Sequence, residues 1–259
     1  MAEDSYTLPN AWELADRRLE LLELEHDPYT IRRARDHVRE GAACLEAGAG
    51  RGSIAQWLCE AVGPSGRVAA VDLDARFLRL ISAPNLEVHE LDLVAGDLPP
   101  GQFDFVHARL LLMHLPERDA LLARLIEKVA PGGAILCEEY DVFPVLGTTE
   151  GAYQEAWSAF GRAMASKGVS PTWIRTVPAR MEALGLAEIR TDVDVPLFRG
   201  GSREAEFWQL TWRQTFDMMV ASGVNREPLE AAIRLLDEPQ RWFYGPAMVA
   251  VSARHPRHA

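Results

Sequence analysis

The ten residues ACLEAGAGRG, at positions 43–52, change their hydrophobic pattern half-way. The first five are mostly apolar, which predicts a short buried strand, and the glycines that follow predict a tight turn. Apolar residues at helical spacing then fill positions 54–62, and Gly63-Pro64 ends that helix. A strand, a glycine-rich turn and a helix in this order are typical of folds in which backbone atoms approach a nucleotide-like ligand.

Strands and helices continue to alternate after this unit. Further strands are predicted at residues 67–72, 86–90, 103–107 and 134–138, and further helices at 74–81 and 117–129. Such alternation implies right-handed crossovers and a parallel sheet. In the second half, helices are predicted at 150–167, 176–184, 204–221 and 226–237, with a strand at 188–198.

The whole chain, 1–259, is predicted to form one domain, because it contains no internal repeat and no low-complexity linker. Residues 1–40 are expected to be an N-terminal helical cap, with Asp27-Pro28 separating two helices. The core spans 41–140. Residues 145–240 supply helical lid elements and the sixth strand, and residues 241–254 form a closing strand.

Composition narrows the class of partner. The formal net charge is −11, and no block of Lys or Arg occurs, so a nucleic-acid partner is not expected. The chain begins without a signal-peptide pattern and has no apolar run of about 18 residues, which predicts a cytoplasmic protein without a membrane span. The three cysteines are expected to be reduced and buried. A homodimer is compatible with the sequence, which does not determine the oligomeric state.

The glycine spacing and one carboxylate favour a cationic ligand over a diphosphate. The glycines follow Gly-x-Gly-x-Gly, whereas the dinucleotide fingerprint is Gly-x-Gly-x-x-Gly. Glu46 lies just before them, and a carboxylate there is poorly placed for a pyrophosphate, which binds at the bare positive end of a helix. It suits a ligand with an ammonium and a sulfonium group, such as S-adenosylmethionine.

Two more acidic residues follow predicted strands. Asp72 ends the second strand, where a carboxylate can accept hydrogen bonds from ribose hydroxyls in either cofactor class. Asp92-Leu93 follows the third strand and could contact the adenine, with a turn cap as the alternative role of Asp92. Nucleoside binding is therefore expected at the strand ends.

Together with Phe103-Asp104-Phe105-Val106, the segment 107–115 and Pro131-Gly132-Gly133, these motifs resemble class I S-adenosylmethionine-dependent methyltransferases. The resemblance covers residues 26–140 and is closest to the bacterial small-molecule branch, which includes the ubiquinone/menaquinone type. It implies an α/β fold, a Rossmann-like doubly wound sheet of seven strands ordered 3-2-1-4-5-7-6 with the last strand antiparallel.

The resemblance also implies a reaction and a set of contacts. S-adenosylmethionine would donate a methyl group to an O, N or C atom of a small-molecule metabolite or natural product and leave S-adenosylhomocysteine. The implied cofactor contacts are Glu46, Gly48, Ala49, Gly50, Asp72, Leu73, Asp92, Leu93, Ala108 and Arg109. An NAD(P)-dependent oxidoreductase and a protein that binds the methyl donor without transferring its methyl group are the rival interpretations.

Candidate catalytic and substrate residues follow the fourth and fifth strands, since open α/β sheets bind ligands beyond the carboxyl ends of their strands. His114 and Glu139 are the catalytic candidates. A structural histidine and a loop partner are the alternatives. Substrate contacts are expected from His26, Tyr29, Tyr140, Trp208 and Trp212, the tryptophans being core residues in the alternative interpretation. No metal is expected.

Overall fold

The computed structural model describes residues 8, 11–147 and 151–257, so parts of the predicted cap and lid lie outside the described residues. Its strands are β1 (Ala43–Ala47), β2 (Arg67–Asp72), β3 (Leu86–Glu90), β4 (Phe103–Arg109), β5 (Val129–Asp141), β6 (Ala187–Asp194), β7 (Leu197–Arg199), β8 (Trp242–Tyr244) and β9 (Ala247–Arg254). Seven of them form one sheet, ordered β3-β2-β1-β4-β5-β9-β6, and β7 pairs with β8 separately.

Strands β1 to β5 pair in parallel, whereas β9 runs antiparallel to both β5 and β6. This confirms the predicted strand order and the antiparallel last strand, with β9 in the place of the seventh strand. Because parallel strands end at the same edge, the carboxyl ends of β1 to β5 meet there, and ligand sites in open α/β sheets lie at that edge.

The helices are α1 (Ala15–Ala34), α2 (Ser53–Val62), α3 (Arg118–Glu127), α4 (Phe143–Leu146), α5 (Gly151–Ser166), α6 (Val177–Ala183), α7 (Arg203–Gln214), α8 (Phe216–Ala221) and α9 (Arg226–Leu235). Helix α2 buries an apolar face that includes Ile54 and Leu58 against one face of the sheet. Helix α3 buries Leu122 and Leu125 in a second cluster with Val106 and Ile135. Among the described helices, none has the length and hydropathy that a bilayer crossing requires.

The prediction that Asp27-Pro28 separates two helices is wrong, because α1 continues through Pro28. A proline inside a helix removes a hydrogen-bond donor and crowds the preceding turn, so tertiary contacts must support it. The Arg109 guanidinium supplies them from the sheet edge. It donates to Asp27, just before the proline, at 2.8 Å, and to Thr30, two residues after the proline, at 2.9 Å.

Two predicted strands each divide at a proline. The segment 188–198 forms β6 and β7, which are separated around Pro196, and the segment 241–254 forms β8 and β9, separated at Gly245-Pro246. Proline cannot donate to a strand ladder, and the two breaks meet where the Gly245 N–H donates to the Pro196 carbonyl at 3.1 Å. The predicted helix at 204–221 likewise divides at Thr215, and 74–81 contains only a short 3₁₀ turn, Leu78–Leu80.

Candidate active site

A cavity of about 820 Å³ lies at the carboxyl ends of the strands, between the sheet and helices α1, α5 and α7. We call its two parts the turn half and the aromatic half. The turn half is lined by Glu46, Gly48, Ala49, Gly50, Asp72, Leu73, Asp92, Leu93 and Arg109. The aromatic half is lined by Met113, His114, Tyr140, Trp157, Phe160, Met164, Trp208 and Thr211.

Two glycines of the turn have different roles: Gly52 allows close packing within the protein, and Gly50 leaves space for a ligand. Gly48, Gly50 and Gly52 have φ values of +72°, +58° and +90°, a region that side chains with a Cβ rarely adopt. A Cβ on Gly52 would lie 2.4 Å from the Ile81 side chain, so Gly52 allows close packing within the protein. A Cβ on Gly50 would meet no protein atom within 4 Å. The open space at Gly50 therefore leaves its backbone accessible to a ligand.

Asp72 joins the end of β2 to this turn. One carboxylate oxygen accepts the Gly50 N–H at 2.8 Å, and the other accepts the Asp74 N–H at 3.1 Å. Burial raises the pKa of Asp72. Each carboxylate oxygen has a second lone pair, so Asp72 can also accept hydrogen bonds from a ligand hydroxyl in the cavity. Asp92 accepts the Val94 N–H at 2.9 Å, which is the turn-cap role, while it also lines the cavity.

A buried ionic network lies directly beneath the turn. The Nδ1 atom of His107 is 2.8 Å and 3.0 Å from the two carboxylate oxygens of Glu46, and Nε2 is 3.1 Å from Glu138. Burial opposes the charge of His107, but Glu46 and Glu138 raise its pKa to about 9. Burial also opposes ionisation of Glu138, yet His107, Arg109 and Thr30 lower its pKa to about 2. His107 is therefore an imidazolium held between two carboxylates.

The same network fastens α1 to the sheet. Thr30 donates to Glu138 at 2.6 Å, and Arg33 donates to the other oxygen of that carboxylate at 2.7 Å. Arg109 reaches Thr30 from β4. Helix α1 also supplies Leu19 and Leu22 to the cavity wall. The network therefore fixes the position of this part of the wall relative to the sheet.

Glu139 is fully buried and holds the loop that enters the aromatic half. One of its carboxylate oxygens accepts the N–H groups of Leu111, Leu112 and Met113, at 3.2, 2.7 and 3.3 Å. Burial raises the pKa of Glu139 to about 8, against the lowering effect of these three donors. Leu110, which precedes the loop and lines the cavity, has a φ of +50°, so the backbone is strained at this point.

The histidine and tyrosine side chains in and next to the aromatic half are neutral at pH 7. Burial and the cations of Arg18 and Arg118 lower the pKa of His114 to about 4. The Tyr140 hydroxyl lies 2.7 Å from Nε2 of His26, and burial raises the pKa of Tyr140 and lowers that of His26 to about 3. The histidine and tyrosine rings of the aromatic half are thus uncharged, whereas the Arg18 and Arg118 guanidinium groups near His114 are cations.

Known proteins share this architecture. A family model described as "Methyltransferase domain" matches residues 45–135, the stretch that contains the glycine turn, Asp72 and His107. Over 211 residues the chain is 28% identical to methyltransferase str3 of Strobilurus tenacellus, covering 76% of this chain and 74% of that one. Over 126 residues it is 29% identical to the demethylmenaquinone methyltransferase of Oceanobacillus iheyensis, covering 46% of this chain and 53% of that one.

A solved structure with the same fold is phosphoethanolamine N-methyltransferase 2 of Haemonchus contortus, in complex with phosphomonomethylethanolamine and S-adenosylhomocysteine. The TM-score is 0.59 at 16% identity, covering 90% of this chain and 53% of that one. The strand order, the glycine turn and the match over residues 45–135 together support a class I S-adenosylmethionine-dependent methyltransferase.

The fold brings most of the predicted cofactor residues together in the turn half. Ala108 is the exception, since it is buried within β4 and does not line the cavity. Arg109 does line it, although its guanidinium is bound to α1. Glu46 lines it with both carboxylate oxygens against His107, a pairing that the sequence interpretation missed.

The predicted substrate and catalytic residues divide. His114, Tyr140 and Trp208 line the cavity. The structure places the other four predicted residues outside the cavity lining. Trp212 is fully buried against Tyr153 and Trp157, Tyr29 is 40% exposed beneath Arg32, His26 stands behind Tyr140, and Glu139 binds the loop.

Replacing Glu139 by Ala is expected to destabilise the protein by about 1–3 kcal/mol, because three N–H donors, two of them buried, lose their acceptor. Glu139→Gln keeps a side-chain oxygen in the same place and should restore most of that loss. Urea denaturation of the two variants measures the difference. Equal stability of Glu139→Ala and the wild type would contradict the loop-holding role.

Proposed function

We propose that this methyltransferase moves the methyl group of S-adenosylmethionine to a small apolar molecule. The observation that carries the proposal is a single cavity in which the glycine turn and Asp72 face one half and a wall of aromatic residues forms the other. A donor and an acceptor bound side by side need this arrangement. The relatives named above agree with it, and a quinone-type acceptor, as in the name of the demethylmenaquinone methyltransferase, would suit the aromatic wall.

The turn half fits the cofactor chemically. We assign the amino-acid part to the glycine turn near Glu46, the ribose hydroxyls to Asp72 and Leu73, and the adenine to Asp92 and Leu93. When bound, the cofactor supplies a methyl group on a sulfonium; the C–S bond breaks as the bond to the acceptor forms, and the electron pair stays on sulfur.

The chain's own contribution to the reaction is placement. Holding two reactants in line can lower a barrier by roughly 7–11 kcal/mol without any acid or base. The loop that Glu139 fastens carries Leu111 and His114 into the cavity beside the glycine turn. We infer that this loop and α1 set the distance between acceptor and methyl group and exclude water from it.

The proposal extends to the rest of the chain. We infer one domain across 1–259, with α1 as cap and the helices between β5 and β9 as lid. The acidic balance, with a net charge of −11, supports a small molecule as substrate in preference to a nucleic acid. A cytoplasmic location and a homodimer are part of the same hypothesis. Cell fractionation tests the location, and analytical sedimentation tests the oligomeric state.

Asp72→Ala is expected to weaken S-adenosylhomocysteine binding by about 1.5–3 kcal/mol, since it removes a charge-assisted contact to the ribose. Asp104→Ala is a matched control, because Asp104 also accepts a backbone N–H, that of Ala43 at 2.9 Å, but does not line the cavity. Isothermal titration calorimetry compares the two. If both variants bind like the wild type, Asp72 does not hold the ribose.

Transfer itself is tested with methyl-tritiated S-adenosylmethionine and a panel of quinols, phenols, aromatic acids and amines. The proposal predicts label in at least one small-molecule product with equal release of S-adenosylhomocysteine. A protein that binds the cofactor but labels nothing in a broad panel of small molecules would support the non-methylating interpretation.

A further inference from the structure

Helix α7 adds a polar residue to the aromatic half of the cavity. Trp208 and Thr211 are three residues apart, which places them on the same side of the helix, and both line the cavity. Thr211 is only 2% exposed. Its hydroxyl is therefore shielded from bulk water, while its side chain borders the space beside the rings.

The Thr211 hydroxyl is unpaired. No hydrogen-bond partner for its Oγ1 atom occurs among the residues that the structure describes. A threonine in a helix commonly donates to the carbonyl one turn earlier, and Thr215 does so, its Oγ1 donating to the Thr211 carbonyl at 2.9 Å. A buried hydroxyl without a partner is costly, so its presence in a native protein requires an explanation. A ligand in the cavity supplies one, because a helical threonine has two accessible χ1 rotamers and can turn its hydroxyl toward that ligand.

Two other polar side chains of this wall are already paired. The Tyr140 hydroxyl lies 2.7 Å from Nε2 of His26. The Trp208 indole hydrogen-bonds to Glu204, which does not line the cavity. The rings of Trp157 and Trp208, with centroids 4.5 Å apart, present flat apolar surface to the same half of the cavity. The wall thus combines aromatic surface with a hydroxyl that is available to bind a ligand.

We propose that Thr211 is a specificity-determining residue whose hydroxyl hydrogen-bonds a hydroxyl or carbonyl oxygen on a flat aromatic acceptor. This rests on the proposed function and specifies its substrate class. A hydroxyl both donates and accepts, so it pairs equally well with a phenol or a quinone oxygen. An aromatic hydrocarbon of the same shape leaves the hydroxyl unpaired, and a site built to form such a bond rejects an analogue that lacks it. Thr211 orients the acceptor and takes no proton from it.

Two probes of one shape test this proposal: naphthol and methylnaphthalene, which carry a hydroxyl or a methyl group at the same ring position. Equilibrium dialysis against protein saturated with S-adenosylhomocysteine gives the affinity of each. We expect the ratio of the naphthol affinity to the methylnaphthalene affinity to fall about five- to tenfold from the wild type to Thr211→Val. Hydration of the free probes cancels, because the same two probes are compared in both proteins. An unchanged ratio would overturn the proposal.

Two further variants locate the effect. Thr211→Ser keeps the hydroxyl and should hold the ratio within about twofold of the wild-type value. Thr215→Val is the matched control, because it removes a buried hydroxyl that bonds within the protein and does not line the cavity. The ratio should be the same in Thr215→Val as in the wild type. A fall as large as that in Thr211→Val would show a general disturbance of α7 and would contradict the assignment to Thr211.

Stability supplies a readout that distinguishes a ligand-binding hydroxyl from a structural one. The urea midpoint of Thr211→Val should equal or exceed that of the wild type, because the substitution breaks no hydrogen bond and removes an unpaired buried hydroxyl. The midpoint of Thr215→Val should fall, since the bond to the Thr211 carbonyl is lost. Equal falls in the two variants would mean that the Thr211 hydroxyl is bonded within the folded protein, against the proposal.

The outcomes separate this inference from the proposed function. If S-adenosylhomocysteine itself fails to bind, the proposed function is wrong. If it binds and neither probe does, the aromatic class of acceptor is wrong. If the cofactor product and both probes bind and the ratio survives in Thr211→Val, only the role of Thr211 is wrong.

Discussion

Replacing Gly50 by Val is expected to abolish cofactor binding, with a loss of about a hundredfold or more in affinity for S-adenosylhomocysteine. A Cβ added to Gly50 would have no protein atom within 4 Å. Gly50 and the residues on either side of it, Ala49 and Arg51, all line the cavity. A branched side chain there fills the space that a ligand needs to reach the turn. It also strains the turn whose N–H Asp72 accepts.

The control for this variant is Gly185→Val. Gly185 also has a positive φ, +85°, and a Cβ that would meet nothing within 4 Å, but it does not line the cavity. Both variants pay a left-handed backbone cost of about 1–2 kcal/mol in the free energy of unfolding. Only Gly50→Val should lose binding. Wild-type affinity in Gly50→Val would remove the glycine turn from the cofactor site.

Removing the His107 imidazolium is expected to have the largest effect on stability. His107→Leu leaves the carboxylates of Glu46 and Glu138 buried without the cation between them, and breaking a buried pair in this way costs about 3–5 kcal/mol. We expect the variant to unfold at a markedly lower urea concentration than the wild type. A midpoint within error of the wild-type value would show that the network contributes no net stability.

The pH dependence of stability gives a second test of His107. Its pKa in the folded protein is about 9, against 6.5 in the unfolded chain, so the folded state holds the proton more tightly. The stabilisation is complete below pH 6.5 and is lost as pH rises through 9, a loss of about 3 kcal/mol. Glu138 behaves oppositely: its stabilisation is complete above pH 4.5 and is lost as pH falls through about 2.

Unfolding free energies measured across this range should therefore fall between pH 6.5 and 9 more steeply in the wild type than in His107→Leu. Comparing the two removes the contribution of other groups, such as Glu139, that titrate in the same window. Parallel curves between pH 6.5 and 9 would mean that His107 is not charged in the folded protein.

Local patterns were sufficient to predict the parallel strands and to place the glycine turn, Asp72 and Asp92 at one edge of the sheet. Each of the three lies at or just after the end of a short strand, and parallel strands bring their carboxyl ends together without further information. The strand order followed from the resemblance to class I methyltransferases. The turn-cap role of Asp92 was one of the two alternatives that spacing alone left open.

Interactions between distant segments explain what local patterns missed. Pro28 was expected to break α1, but Arg109, far along the chain, supports the helix on both sides of it. Glu46, His107 and Glu138 are polar residues within three neighbouring apolar strands, and Glu46 is directly opposite His107 in the β1–β4 register. Three charged positions in buried neighbouring strands were the available signal for this network.

Helix faces account for the aromatic half. Trp208 and Trp212 are four residues apart on α7, so their spacing predicts a shared face. In the structure Trp208 lines the cavity, whereas Trp212 is fully buried in the core against Tyr153 and Trp157 of α5. Which member of such a pair reaches a cavity depends on the partner helix and not on the spacing.

Titration of S-adenosylhomocysteine into the purified protein, alongside NADH, tests the central claim most directly. The glycine turn beside Glu46 and Asp72 should bind the demethylated cofactor at one site per chain and leave NADH unbound. Binding of NADH with no heat from S-adenosylhomocysteine would contradict the account, because the turn would then hold a diphosphate.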